Sequence, residues 1–194
     1  MDIAPVILKG RRVRLEPMEA GHLAALAKAG AHEELWRWTN VRADFLEGMT
    51  AYVNEALAVA AAGAALPFVT VDISSGEIIG STRFANIDNA NRRVEIGWTW
   101  ITPAFQRSYV NSEAKYLMLS HAFETWNCVR VELKTDFLNE KSRTAMLRIG
   151  ATEEGTLRRH IVTYTGRLRD STYYSVLDTE WSDVKARLEL LMGR

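Results

Sequence analysis

The spacing of apolar residues divides the first half of the chain into helices followed by strands. A short strand is predicted at 12–15, a helix from 19 to Gly30, and a second helix from a cap at Thr50 to Gly63. After that helix the apolar period changes to two. Three strands are then predicted, at 68–73, 78–87 and 93–101. Turn-forming residues separate them, which indicates an antiparallel meander.

The second half of the chain begins with the most apolar helix, 111–127, followed by an alternating strand at 130–137. A helix that is apolar over so wide an arc packs into the core. The order of strand 93–101, this helix and strand 130–137 implies one right-handed parallel crossover. The remaining segments are a helix from a cap at Asn139 to Gly150, strands at 156–164 and 171–177, and a last helix capped by Asp178 or Thr179.

These segments predict an α+β fold with a mixed, largely antiparallel central sheet flanked by helices. No repeat, low-complexity tract or linker interrupts the chain, so residues 1–194 are expected to form a single domain. Strict alternation along 93–101 separates an apolar face from a small polar one that carries a single carboxylate, as a strand lining a substrate cleft does. The apolar face is expected to hold Val94, Ile96, Trp98 and Trp100, and the polar face Glu95, Gly97 and Thr99.

Composition and charge narrow the classes of function. The 24 basic and 24 acidic side chains give no net charge, so a nucleic-acid partner is not expected. No apolar run reaches the ~20 residues that a membrane span needs, and the N-terminus lacks a secretory signal, so a cytoplasmic location is expected. Cys128, the single cysteine, is expected to be a buried hydrophobe. The four histidines lie far apart, and no metal site is expected.

Candidate chemistry lies at the junction 103–111, between a strand and the apolar helix. Backbone N–H groups at a helix N-terminus favour an anion such as a diphosphate, because the helix dipole places roughly +0.5 charge there. Arg107 adds a cation, and Ser108 and Asn111 add short polar groups. The alternative is that Asn111 or Ser112 is a simple helix cap and that Arg107 is a solvated loop residue.

Two segments carry a family resemblance, one at the start of the apolar helix and one after the strand 130–137. They are Asn111-Ser112-Glu113-Ala114-Lys115 and Asn139-Glu140-Lys141-Ser142. With the order of elements, they resemble the GNAT superfamily of acetyl-CoA-dependent N-acetyltransferases. Within that superfamily they are most similar to the bacterial ribosomal-protein N-terminal alanine and serine acetyltransferases. The likeness extends over nearly the whole chain.

The resemblance implies a binding loop for the diphosphate of coenzyme A. In the family this loop follows the pattern [Gln/Arg]-x-x-Gly-x-[Gly/Ala]. Gln106 matches the first position, whereas Tyr109 and Asn111 stand where small residues are usual. Close approach of the phosphates then requires that the Tyr109 ring points away. The residues expected at the diphosphate are Arg107, Ser108, Tyr109, Val110, Asn111 and Ser112.

The resemblance also implies roles in acetyl transfer. Trp100 and Ile101 would pair with the pantetheine arm, and one of their amides would polarise the thioester carbonyl. Glu95 would be the general base, a task that suits a carboxylate whose pKa is raised by burial. The structural alternative for Glu95 is a salt bridge to Arg93, Arg83 or another strand neighbour.

On the other side of the thioester, the resemblance implies that Asn139 binds the pantetheine. Ser142 would protonate the departing thiolate. Many members of the superfamily use a tyrosine instead, and Tyr164, Tyr173 and Tyr174 are alternatives here. Candidates for the acceptor side are Trp36, Trp38, His160 and Tyr164.

The expected activity is transfer of an acetyl group from acetyl-CoA to a primary amine, by direct attack through a tetrahedral intermediate. The branch resemblance favours a protein N-terminal α-amine as the acceptor. Two alternatives stay open: a small amine such as an amino acid, polyamine or antibiotic, and a module that binds acyl-CoA or a peptide without turnover. A homodimer is plausible in this family.

Overall fold

A computed structural model of the chain describes residues 1–193 and shows one eight-stranded sheet. The strands lie in the order β1-β2-β3-β4-β5-β6-β8-β7 across it. They are β1 Leu8–Lys9, β2 Val13–Pro17, β3 Leu66–Asp72, β4 Ile78–Asp88, β5 Arg93–Ile101, β6 Arg130–Asp136, β7 Thr152–Val162 and β8 Leu168–Leu177. Every neighbouring pair is antiparallel except β5 and β6, so the predicted meander and the single parallel crossover are confirmed.

Helices cover both faces of the sheet. They are α1 Leu23–Gly30, α2 Leu46–Ala61, α3 Tyr109–Ser120, α4 Glu140–Ile149 and α5 Trp181–Leu191. One hydrophobic cluster joins the sheet to α3, α4 and α5, and a second joins the opposite face to α1 and α2. The predicted α+β class is confirmed. None of the helices among residues 1–193 has the length and apolar character of a membrane span.

Three predicted helix starts are wrong. Helix α2 begins at Leu46, and Thr50 lies inside it, where its hydroxyl donates to the Leu46 carbonyl. Helix α3 is capped by Ser108, not by Asn111 or Ser112, both of which lie in its first turns. Before α5, residues Asp178–Glu180 form a turn of 3-10 helix instead of a side-chain cap. In each case the polar residue lies within four residues of the true start, because short polar side chains also bond backbone groups near a helix start without being its cap.

A bulge in β5 overturns the predicted alternation along that strand. Arg83 of β4 pairs with Gly97, but Ser81 pairs with Trp100, so β5 contains one extra residue. Trp98 in the bulge has a φ of 49°. One extra residue reverses which face the following side chains occupy. Val94 and Ile96 therefore pack with α3, whereas Trp98 and Trp100 pack with α1 and α2.

Strands β5 and β6 separate after a short contact. Their parallel pairing covers three positions, from Arg93 opposite Arg130 to Glu95 opposite Glu132. Beyond Glu95, β5 keeps β4 on one side and has no strand on the other. The result is a gap in the middle of the sheet, beside the second half of β5.

Candidate active site

Helix α3 begins at the open end of this gap. The Ser108 hydroxyl accepts from the Val110 N–H at 3.3 Å and donates to the Phe105 carbonyl at 2.6 Å. The N–H groups of the first helical turn have no partner within the helix, so they form an anion-binding end. Arg107, just before the cap, is exposed and has a φ of 56°, a left-handed conformation that glycine adopts more easily.

Tyr109 points away from the gap. Its hydroxyl donates a 2.5 Å hydrogen bond to Asp72 at the end of β3, and the Arg12 guanidinium lies 4.0 Å from its ring centroid. Strand β3 is separated from the gap by β4 and β5. The large side chain at a position where the family has glycine therefore leaves the helix N-terminus open.

A second arginine reaches the start of α3 from across the gap. Arg148, near the end of α4, donates from Nη2 to the Ser112 hydroxyl at 3.4 Å. With Arg107 it places two cations near the first turn of α3, where a diphosphate would bind. Arg148 is not among the residues expected from the sequence, because its contact with Ser112 spans 36 positions and no local motif marks it.

Glu95 lies at the inner end of the gap, on the α1 and α2 face of the sheet, and is 2% exposed. Its Oε2 accepts from Asn86 Nδ2 at 2.8 Å and from Lys134 Nζ at 2.9 Å. Its Oε1 lies over Gly97, where an added Cβ would approach it to 2.9 Å. The absence of a side chain at Gly97 thus leaves room beside this oxygen.

The salt bridge expected as the alternative for Glu95 exists, but its partner is Lys134. Arg93 pairs with Asp88 and Glu132, and Arg83 pairs with Glu55. Glu95 also lines an open groove of about 910 Å³ with Asn86 and Tyr173. Of the three candidate tyrosines, Tyr173 lines this groove beside Glu95, whereas Tyr164 is exposed in the turn between β7 and β8. The Tyr174 hydroxyl instead bonds Glu153 and Arg143 near α4.

Asn139 and Ser142 lie at the start of α4, on the opposite face of the sheet from Glu95. Asn139 caps α4, and its Oδ1 accepts from the Ser142 N–H at 3.2 Å. A group bound in the gap would face Glu95 on one side of the sheet and the start of α4 on the other side. The two proposed catalytic side chains thus flank the gap without contacting each other.

Comparison with known proteins assigns a family to this arrangement. Residues 12–152 match the family described as "Acetyltransferase (GNAT) domain". The chain belongs to the GNAT family. This domain is 36% identical over 110 residues to Bacillus subtilis (strain 168) YdaF, which carries the name of a ribosomal N-acetyltransferase. That match spans 57% of the chain and 59% of YdaF.

Solved structures of GNAT proteins share the fold over most of its length. A GCN5-related N-acetyltransferase from Brucella melitensis is 30% identical, with a TM-score of 0.90, over 97% of this chain and 86% of that one. Mycobacterium smegmatis RimJ, whose structure was solved with CoA-disulfide, has a TM-score of 0.83 at 23% identity over 99% of this chain and 97% of RimJ. The family uses acetyl-CoA, so the expected family and acyl donor are confirmed at that level.

The remaining candidate residues of this GNAT domain lie partly in the hydrophobic core and partly on the sheet face that carries Glu95. Trp36 is a core residue, 1% exposed, whose indole donates to the Gly30 carbonyl. Trp38 lies over the sheet face that carries Glu95, and its carbonyl accepts from Arg169 at 3.3 Å. The His160 ring contacts Tyr173 at 5.7 Å between centroids. Cys128 is buried, and burial raises the pKa of its thiol to about 11.

Proposed function

We propose that this GNAT domain transfers the acetyl group of acetyl-CoA to the N-terminal α-amine of a protein. The observation that carries the proposal is the gap between β5 and β6, which has the N-terminus of α3 at one end and the buried Glu95 at the other. An extended cosubstrate with a diphosphate near its middle and a thioester at its tip fits such a gap.

The donor half of the site uses charge at one end and main chain along its length. The amides of Tyr109, Asn111 and Ser112 and the cations of Arg107 and Arg148 hold the diphosphate, whereas the Val110 amide donates to the Ser108 cap. Trp100 and Ile101 lie on the part of β5 that lacks a strand on the gap side, so a pantetheine arm can pair there as an added strand. Asn139, at the start of α4, faces the arm from the opposite side.

The acceptor half needs a base, because an amine is nucleophilic only when it is neutral. Glu95 Oε1 accepts the proton of the incoming ammonium, while Asn86 and Lys134 hold Oε2 in place. The nitrogen attacks the thioester carbon directly and the carbon–sulfur bond breaks. The second proton that the nitrogen loses on becoming an amide passes through the Ser142 hydroxyl to the leaving thiolate. An α-amine, with a pKa of about 7.7 to 8.0, is neutral far more often at pH 7 than a lysine side chain is.

The proposal is supported by the name of YdaF as a ribosomal N-acetyltransferase. Its test is thiol release from acetyl-CoA with a panel of N-terminal peptides, lysine peptides with blocked N-termini, polyamines and free amino acids. Acetylation of the α-amine of unblocked peptides is expected, at rates well above those of the other amines. Turnover restricted to polyamines or amino acids would contradict the α-amine assignment, and tight acetyl-CoA binding without any turnover would contradict catalysis.

A further inference from the structure

The sheet face that carries Glu95 continues across β6 to β8 as a buried polar floor. Lys134 of β6 lies opposite Tyr173 of β8, and Asp136 lies opposite Ser171. Arg169 lies two residues before Ser171 in β8, on the same face of the sheet. Asp136, Arg169 and Ser171 are 1%, 7% and 0% exposed, which is unusual for such polar side chains.

Two polar groups on this floor have no hydrogen-bond partner among residues 1–193. They are Nε of Arg169 and the hydroxyl of Ser171, two residues apart on one face of β8. Buried polar groups are normally satisfied, and an unpaired one destabilises the fold. Both groups are covered, so a polar ligand that satisfies them would first displace a covering side chain.

Arg169 also has no counter-ion within the part of the chain that the structure describes. Its one hydrogen bond goes from Nη1 to the carbonyl of Trp38, and the nearby Asp136 is already paired with Arg167. Burial lowers the pKa of Arg169. The nearby carboxylates of Asp136 and Glu95 offset the cost of this burial in part, and an anion from outside the chain would compensate the remaining charge.

Arg83 lies on the same sheet face, but its charge is compensated. It too has unpaired nitrogens, but its guanidinium lies 5.3 Å and 4.7 Å from the ring centroids of Tyr52 and Trp98 and pairs with Glu55. Ring faces and a carboxylate thus compensate the charge of Arg83. Among the described residues Arg169 has no ring face against it and no ion pair of its own, because the nearby Asp136 is paired with Arg167.

The distance to Glu95 limits what that ligand can be. Glu95 pairs with Glu132, and Ser171 pairs with Asp136, so the two positions are two strands and four residues apart. Sheet geometry then separates their Cα atoms by about 16 Å. A free amino acid carries its amine and its carboxylate on one carbon and cannot reach both places. An extended peptide advances about 3.3 Å per residue and reaches the floor at its third to fifth residue.

We infer that Arg169 and Ser171 form a subsite for a side-chain carboxylate of the acceptor, at about the third to fifth residue of the chain whose first residue is acetylated. This inference rests on the proposed N-terminal acetylation and specifies its acceptor: an N-terminal segment with an acidic residue soon after its start. The carboxylate accepts from Nε of Arg169 and from the Ser171 hydroxyl, a charge-assisted arrangement.

The test uses hexapeptides with a free N-terminal alanine and one glutamate at position two, three, four or five, each beside a twin with glutamine at that position. Wild-type protein is expected to favour the best-placed glutamate peptide over its twin by about tenfold in kcat/KM, equal to about 1.4 kcal/mol. Arg169→Gln removes this preference, and Ser171→Ala reduces it. Arg158→Gln, which changes an exposed arginine of β7, keeps it.

Equal rates for every glutamate peptide and its twin would overturn the inference while leaving N-terminal acetylation intact. So would a preference that survives Arg169→Gln. If no peptide is acetylated, the proposed function fails, and calorimetric binding of the same peptides in the presence of coenzyme A decides the subsite separately. In that calorimetric experiment, tighter binding of the glutamate peptides that depends on Arg169 supports the subsite. Equal binding of the glutamate peptides and their glutamine twins overturns the subsite. If Arg169→Gln does not fold, Ser171→Ala and Arg169→Lys carry the test, and both are expected to weaken the preference.

Discussion

Lys115 Nζ donates a 2.9 Å hydrogen bond to the hydroxyl of Thr99, and this is its one polar contact among the described residues. Thr99 is exposed on the part of β5 that borders the gap, and its hydroxyl lies 2.8 Å from that of Thr82. Lys115 itself is buried beneath it on α3, with no carboxylate within ion-pair distance in residues 1–193. A buried ammonium without a counter-ion is destabilising, and it lies directly beside the proposed cosubstrate site.

Replacement of Lys115 with methionine is expected to stabilise the fold in a pH-dependent way. Burial lowers the pKa of Lys115 from 10.5 to about 7. Below about pH 7 both folded and unfolded chains hold the proton, so the full cost of burying charge is present. From about pH 7 to 10.5 the unfolded chain alone binds it, so wild-type stability rises with pH until the cost disappears.

Lys115→Met is therefore expected to be more stable than wild type by about 3 to 5 kcal/mol at pH 7. The two proteins should converge near pH 10. Urea unfolding across this pH range measures the difference. Leu117→Met, a change in a half-buried apolar residue of the same helix, is a control that should show no pH-dependent difference. A gap between Lys115→Met and wild type that is constant with pH would contradict the buried-charge account.

Tyr109→Phe is expected to weaken the protein in acid. Burial raises the pKa of Asp72, and hydrogen bonds from Ser74, Tyr109 and Ser75 outweigh that effect and lower it to about 2. A carboxylate with a lowered pKa stabilises the fold above about pH 4 and loses that contribution as the pH falls toward 2. Without the tyrosine hydroxyl this contribution is smaller, and its loss is complete at a higher pH. Acid unfolding followed by circular dichroism should show a raised midpoint, and an unchanged midpoint would contradict the role of this hydrogen bond.

The sequence predicted the sheet well because its strands alternate clearly and turn residues separate them. It failed inside β5, where the bulge at Trp98 breaks the alternation that identified the strand. Nothing local marks a bulge at a tryptophan, since the positive φ at such a position more often signals glycine or asparagine. The same bulge moves Trp98 and Trp100 to the sheet face that packs on α1 and α2. A continuous apolar stripe would have kept them on the face of Val94 and Ile96.

The site was only partly predictable for a related reason. Glu95, Asn139 and the start of α3 belong to continuous segments that a family pattern can recognise. Arg148, Lys134 and Arg169 reach the site from elements that are distant along the chain, through contacts that depend on the packing of the whole sheet. Pattern reading sees the residue types but not these contacts.

Arg107→Ala and Arg148→Ala are each expected to weaken acetyl-CoA binding by about five- to tenfold, as loss of a charge-assisted contact to phosphate does. The weakening should shrink as salt is added, because both side chains are exposed and their charges are screened. Calorimetry at low and high salt measures both effects, with Arg158→Ala as a control of equal charge on β7. Binding insensitive to both changes would place the diphosphate away from the start of α3.

Cys128→Ala is expected to retain kcat within about twofold. The thiol is buried, and a pKa of about 11 leaves almost no thiolate near neutral pH. Direct transfer needs no acyl-enzyme, so steady-state kinetics should show no ping-pong pattern. A large loss of activity, or acetylation of Cys128 found by mass spectrometry after mixing with acetyl-CoA, would indicate a covalent route instead.

Glu95→Gln is the sharpest test of the proposed chemistry. The amide keeps the shape and can still bond its neighbours, but it cannot accept the proton of an ammonium. We expect kcat/KM to fall by about 100-fold, with acetyl-CoA affinity little changed. The loss should be greatest at low pH, where more of the acceptor, with a pKa of about 7.7 to 8.0, arrives protonated. Glu124→Gln is a matched control, because Glu124 is also paired with a lysine, Lys185 at 2.7 Å, on the α3 and α5 face away from the gap. Identical pH profiles for Glu95→Gln and wild type would remove Glu95 from proton transfer and leave it as the salt-bridge partner of Lys134.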